Sequence, residues 1–375
     1  MFIIPEVKGR CFKYSVIIIV LIQVNGLLKA QVLKDSATFN LIKRGVDYVY
    51  NQEFDKANAV YAKLNADYPG DPLPYLFRGM ITYWRYFPLL PSSPEVPFFE
   101  EDLYTCIDLC EKKRATSAEP EYLLADLGAR GLLLLYYADN DLSMNVFSLA
   151  SKTYQLVMKS FDFTDSYDDF YFFTGLYQYY REAYPEAHPV YKPFAILFPK
   201  GDKINGLKEL KQAARYSIFM KGEANTFLTG IYISFENNYP TALSYSRILS
   251  DQYPRNNQFL SVYIKNLLLI KQYEEAEKIL EHNENPENHY FRFQKNIFKG
   301  ILNEKKYHNS KAAEAYYMAS IKQAGSIGSF ADDYLAFAYF GLSRIMKERG
   351  ETKLSKSYYK KAMDLAAYKN VNFNN

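Results

Sequence analysis

The chain has 375 residues, of which 49% are hydrophobic and 23% charged, with a formal net charge of +3 and three cysteines. That length exceeds what one ordinary globular core supports, so two domains or an elongated repeat array is expected, and the composition excludes extensive disorder. With no marked basic excess or stripe, a grip on nucleic acid through its phosphates is not expected.

The first thirty residues read as a secretory leader, because Lys8, Arg10 and Lys13 precede the unbroken apolar run of residues 16–22. The run is roughly half of the ~20 apolar residues a membrane-crossing helix needs, so cleavage is expected rather than anchoring. Cuts after Gly26 or Ala30 both follow a small residue. Removing residues 1–30 takes away four basic residues and one acidic residue and leaves a net charge of zero. Cys11 lies ahead of the apolar run, so it is not the lipid-bearing cysteine of a lipoprotein. The expected product, residues 31–375, is exported and either periplasmic or secreted. It would touch a membrane only through an uncleaved leader or an envelope partner.

Downstream, one spacing recurs. Gly45 is followed at fixed offsets by Ala57, Tyr61, Leu64 and Pro69, and Gly230 by Ala242, Ser246, Leu249 and Pro254. Looser copies are Gly131 with Ser143, Phe147 and Ala150; Ile264 with Ala276 and Leu280; Gly300 with Ala312, Tyr316 and Ala319; and Ser343 with Ser355, Tyr359 and Ala362. Two more fit with a longer inner turn, Gly79 with Leu103, Ile107 and Cys110, and Gly175 with Gly206, Leu210 and Ala213. The physical sense is a pair of antiparallel helices. A small residue on the first lets the second approach, a bulky residue fills the gap beside it, and proline ends the second helix.

On these residues the sequence resembles the tetratricopeptide repeat family, whose unit is ~34 residues; Gly45 to Gly79 and Gly230 to Ile264 have that spacing. The resemblance implies an all-α fold, a right-handed superhelical α-solenoid of about eight antiparallel helix pairs covering residues 35–368, in an exported bacterial protein. Each pair would bury its apolar face only against its neighbours, leaving the ends least protected, and a concave face lined by the first helices would be open for binding.

Cys106 and Cys110 lie four apart on a predicted helix, where a disulfide would strain the backbone, so two buried free thiols are expected. The histidines show no metal-ligand spacing, and neither metal nor cofactor is expected. Two proline-rich insertions interrupt the array, at 87–99 and 181–203, each either a packed cover or a functional loop. Within the second, Gly201-Asp202 reads as turn and helix-start chemistry, since no phosphate-binding glycine series is present. The acidic residues Asp165, Asp168, Asp169 and Glu182 lie close together, as a hydrolase pair would, but Asp165 and Asp168 are better placed to favour a helix start.

Aromatics make up 17% of the chain, with 36 tyrosines, and crowd into residues 161–184. Phe170, Phe173 and Tyr177 are expected to pack. Tyr179, Tyr180, Arg181, Tyr184 and Tyr191 are the candidate partner-binding residues. No nucleophile accompanies a base, so the expected function is non-catalytic: a scaffold binding a protein or peptide partner in the cell envelope. The alternative is a carbohydrate or small-ligand module using the tyrosine-rich centre.

Overall fold

A computed structural model describes residues 32–113, 119–283, 288–367, 369 and 371–373. The expected leader, residues 1–30, lies outside the described residues. The described chain is all-α, and its long helices form eight antiparallel pairs. In chain order these are α1 (Ser36–Tyr50) with α2 (Phe54–Asp67); α3 (Pro72–Arg85) with α4 (Val96–Lys113); α5 (Glu119–Asp139) with α6 (Ser143–Ser160); and α7 (Phe170–Ala187) with α8 (Lys203–Tyr216). They continue as α9 (Lys221–Ser234) with α10 (Tyr239–Gln252); α11 (Asn257–Leu269) with α12 (Tyr273–His282); α13 (His289–Lys305) with α14 (Ser310–Gln323); and α15 (Asp332–Glu348) with α16 (Thr352–Leu365).

Local chemistry sets the breaks between helices. Asp or Asn side chains cap several starts: Asp35 accepts from the Thr38 amide, Asp71 from Leu73, Asp202 from Ile204 and Asn205, and Asn256 from Gln258 and Phe259. Three-residue turns close the first, third, sixth and eighth pairs, and their middle residues, Gln52, Asp141, Lys271 and Gly350, all have left-handed backbone. In each, the last turn amide reaches the carbonyl five residues back: Glu53 to Tyr48, Leu142 to Tyr137, Gln272 to Leu267 and Glu351 to Met346, at 2.8–2.9 Å. The orphan carbonyls at the helix end are thereby satisfied. The fifth and seventh pairs use four-residue turns, with Asn237 and His308 left-handed.

Turn length shifts the packing register in the sixth, seventh and eighth pairs. After a three-residue turn the buried small residue falls twelve positions on, as expected: Ile264 with Ala276, and Ser343 with Ser355, whose hydroxyls donate to each other's carbonyls at 2.9 Å. The four-residue turn before α14 adds one position. Ala313, Tyr317 and Ser320 are therefore buried, not the expected Ala312, Tyr316 and Ala319. Tyr317 lies so close against Gly300 and Gly341 that a Cβ at either would sit within 2.4 Å of its ring, which is why both positions have none. The two copies with longer inner turns are in register, Gly79 against Leu103 and Gly175 against Leu210. The Gly131 frame is wrong: Ser143, Phe147 and Ala150 are exposed, and the buried set is Tyr137, Leu149 and Leu156.

The concave face is not open. Tyr50, at the end of α1, is fully buried with ring contacts to Trp84 of α3 (5.7 Å), Tyr253 (5.3 Å) and Phe259 of α11 (6.0 Å). Asn256 Nδ2 donates to the Tyr50 carbonyl at 2.8 Å, and the Tyr253 hydroxyl donates to Asp47 at 2.9 Å. The first insertion fills the next stretch as a packed cover. Leu89 is buried, and Phe87 stacks on Trp84 while meeting Tyr290 and Phe330 edge-on or tilted at 5.9 and 5.3 Å. The first pair thus meets the fifth and sixth, and the second meets the seventh. The expectation of an exposed concave groove with purely near-neighbour stability is overturned, because aromatic side chains of the first helices fill the interior.

Cys106 and Cys110 are buried free thiols, and burial pushes the Cys110 thiol well up. In a chain lacking residues 1–30, a thiol-disulfide exchange reagent is expected to react with fewer than about 0.1 equivalents under native conditions and with about two in denaturant, since only an exposed thiolate reacts. Rapid native reaction would contradict this placement.

Candidate functional site

The second insertion behaves unlike the first. Helix α7 runs through Pro185 to Ala187, so the irregular segment begins at His188 rather than at residue 181. Residues 189–195 form two short helical turns and the chain returns to α8 at Lys203. This segment does not fold inward: Val190 is 73% exposed, Phe194 62%, Ile196 80% and Leu197 77%. Scattered exposed apolar residues are ordinary, but a run of them on one projecting segment makes it a candidate interaction surface.

The base of the segment is fastened. Arg181 donates through Nη2 to the Phe198 carbonyl at 3.1 Å, and the Tyr177 hydroxyl donates to the Pro199 carbonyl at 2.7 Å. Glu182 accepts from the Gly201 amide at 2.9 Å. Gly201 approaches α7 so closely that a Cβ would stand 2.3 Å from the Gln178 carbonyl oxygen. The Phe198 ring meets Tyr154 of α6 edge-on at 5.1 Å. Tyr154 continues a stripe of α6 that carries Phe147 and Met144, which are 73% and 80% exposed. The apolar surface therefore spans the segment and this face of α6.

Of the five residues singled out from sequence, Tyr184 and Tyr191 lie at this surface, with rings 5.3 Å apart. Tyr179 does not. It is fully buried, its hydroxyl donates to Glu236 at 2.5 Å, and it cannot contact a partner. Tyr180 is half-buried against Phe235, and Arg181 holds the Phe198 carbonyl, so both support the site rather than form its face. Phe194, Ile196 and Leu197 belong to the surface but fall outside the tyrosine-rich pattern that pointed to it. The signal that marks them is an apolar run, residues 194–198, that no helical register accommodates.

Behind Tyr154 and Tyr177 the third and fourth pairs do not close on each other. Between them lies a pocket of about 530 Å³, walled by Met80 of α3, Leu135 of α5, Val157 of α6, Phe173 of α7 and Phe227 of α9. Among the described residues its one carboxyl is that of Glu223. Burial pushes that carboxyl up to about 7 against the opposing hydrogen bond from Tyr50. The Tyr50 hydroxyl stands between Glu223 and the Phe219 carbonyl, 2.6 Å away. With a single proton to give, it satisfies both neighbours only when Glu223 is itself protonated and donates.

The acidic cluster has a structural use. Asp169, fully buried, accepts from the amides of Ile218, Phe219 and Met220 at 2.9, 2.7 and 3.0 Å, just ahead of α9. Burial raises its pKa while the three amides pull it down. Asp168 accepts from Gln212 at 2.8 Å.

Paired helices repeated along the described chain define the class: an all-α helical-repeat protein built of stacked antiparallel helix pairs. No family model matches the chain, and no curated protein matches it. Among solved structures it is similar to the crystal structure of yeast Tom70, at 13% sequence identity and a TM-score of 0.22, covering 89% of this chain and 93% of that one.

Proposed function

We propose that the protein is a non-catalytic, exported helical-repeat scaffold that binds a protein partner in the cell envelope. The contact surface is the segment of residues 188–198 together with the Met144 and Phe147 face of α6. The observation that carries this reading is the pairing of exposure with anchorage. Four large apolar side chains project into solvent from a segment whose base is held by Arg181, Tyr177 and Glu182. Presenting a fastened apolar surface costs less ordering on association than a loose one. Export rests on the basic-then-apolar pattern of residues 1–30.

A photo-cross-linking residue placed at Ile196, compared with one at the exposed Lys63 of α2, tests the reading in cells. A discrete protein adduct is expected from position 196 alone, reduced at least tenfold by Phe194→Asp. No adduct, or the same adducts from both positions, would count against it.

A further inference from the structure

We propose that the pocket between the third and fourth helix pairs is a binding site for an uncharged lipophilic molecule, of the size and class of a sesquiterpenoid or long-chain alcohol. In a stacked array each pair buries its apolar face against the next. At this junction the faces are apolar on both sides yet stand apart, and the space is walled by five helices. At about 530 Å³ the pocket is well above the ~150 Å³ apolar cavity that suffices for benzene. It lies within the ~300–1,000 Å³ range of small-molecule sites. At ~30 Å³ per water-sized group it holds about 18 non-hydrogen atoms.

The wall chemistry selects the occupant. Among the described residues no lysine, arginine or histidine lines the pocket, so nothing there neutralises a carboxylate or phosphate, and Glu223 adds a repelling charge whenever it is ionised. Polar groups on the wall are engaged: Thr153 donates to the Leu149 carbonyl at 2.8 Å, Tyr177 to Pro199, and Glu223 is bonded to Tyr50. An extended peptide would bring backbone amides and carbonyls into a space with almost nothing to receive them. A hydrocarbon chain brings no such demand. Its single hydroxyl can meet Glu223, and Met80 and Met220 on the wall adapt to its shape.

The position of Gly131 supplies a clean test. It lines the pocket, and a Cβ there meets only Phe173, at 4.0 Å, so Gly131→Leu grows into the empty space without touching backbone. The exchange also favours the helix. Ala150, exposed on α6 and also on the wall, gives a second blocking variant, Ala150→Trp. The purified chain is titrated with the neutral fluorophore N-phenyl-1-naphthylamine at pH 8, then with farnesol and farnesoic acid as competitors sharing one hydrocarbon skeleton.

Saturable binding at one site is expected, with the alcohol displacing the probe at least tenfold more effectively than the acid. Each variant that retains its helical circular dichroism is expected to lose at least tenfold in probe affinity. Absence of saturable binding overturns the proposal. Displacement by the acid within tenfold of the alcohol overturns the preference for an uncharged ligand, and smaller losses in both variants place the probe elsewhere, which also overturns it. Binding lost in Ile196→Asp but kept in Gly131→Leu assigns the probe to the surface segment and likewise overturns the pocket as its site.

Discussion

Replacing Tyr50 with alanine is expected to lower stability by about 3–5 kcal/mol, the range for deleting a large buried aromatic, and to detach the first helix pair from the fifth and sixth. Tyr50 is where the first pair meets the fifth and sixth across the interior. Its ring touches Trp84, Tyr253 and Phe259, and a Cβ on Gly222 would come within 2.6 Å of it. Removing the ring opens a void that none of these neighbours can fill without leaving its own contacts. Tyr50→Phe is expected to cost less, about 1–2 kcal/mol, because it keeps the packing and deletes only the hydroxyl between Glu223 and Phe219. Hydrogen exchange followed by mass spectrometry reads the difference. In Tyr50→Ala, amides of α1 and α2 should lose protection well before those of α11 to α16, whereas in Tyr50→Phe they should remain together. Uniform protection in the alanine variant would refute the closure.

Asp169→Ala is expected to cost about 3 kcal/mol or more in denaturant-unfolding experiments. Three amides, those of Ile218, Phe219 and Met220, converge on this one carboxylate in a fully buried setting. Alanine leaves all three without an acceptor, and each buried unsatisfied donor carries a penalty of about 1–3 kcal/mol. The spatial consequence reaches further than one turn. Asp169 precedes α7, whereas its amides precede α9, so the carboxylate joins the fourth pair to the fifth across some fifty residues of sequence. Asp169→Asn keeps one carbonyl acceptor but turns an amide group toward donors, so it is expected to fall between wild type and alanine. Equal stability of alanine and wild type would show that the amides find other partners.

The repeat was legible in the sequence in the sixth and eighth pairs, whose inner turns have three residues. Ile264 with Ala276 and Ser343 with Ser355 follow three-residue turns, and all four are buried, the two serines bonded to each other. The seventh copy slipped by one because a turn residue carries no apolar signal, so nothing in the spacing marked residues 306–309 as four rather than three. The third copy slipped further because Gly131 attracted the frame. The α6 residues to which this frame pointed are exposed, and Gly131 faces a pocket. Closure of the array was not legible at all. It depends on residues some two hundred positions apart, such as Tyr50 and Asn256, and no periodicity in one sequence records which side chains meet across an interior.

The candidate surface was half legible. Sequence singled out the second insertion, because a long proline-rich break in a repeat array is visible without coordinates, and two of its candidates, Tyr184 and Tyr191, are exposed there. Its other candidates lie off the exposed face: Tyr179 is buried, and Tyr180 and Arg181 are half-buried. On a helix crowded with aromatics all round, a single sequence cannot distinguish the face that meets α8 and Phe235 from the face that meets water, and that choice is made by the neighbouring pair.

An open array of stacked units can gain or lose one by duplication or deletion, since each new copy brings its own neighbours. Here Tyr50 must find Asn256 and Phe259, and Phe87 must find Tyr290. An added or missing unit between them would shift the far wall by one step and put the wrong side chains opposite each other. The number of units is therefore locked, as the number of staves is in a barrel.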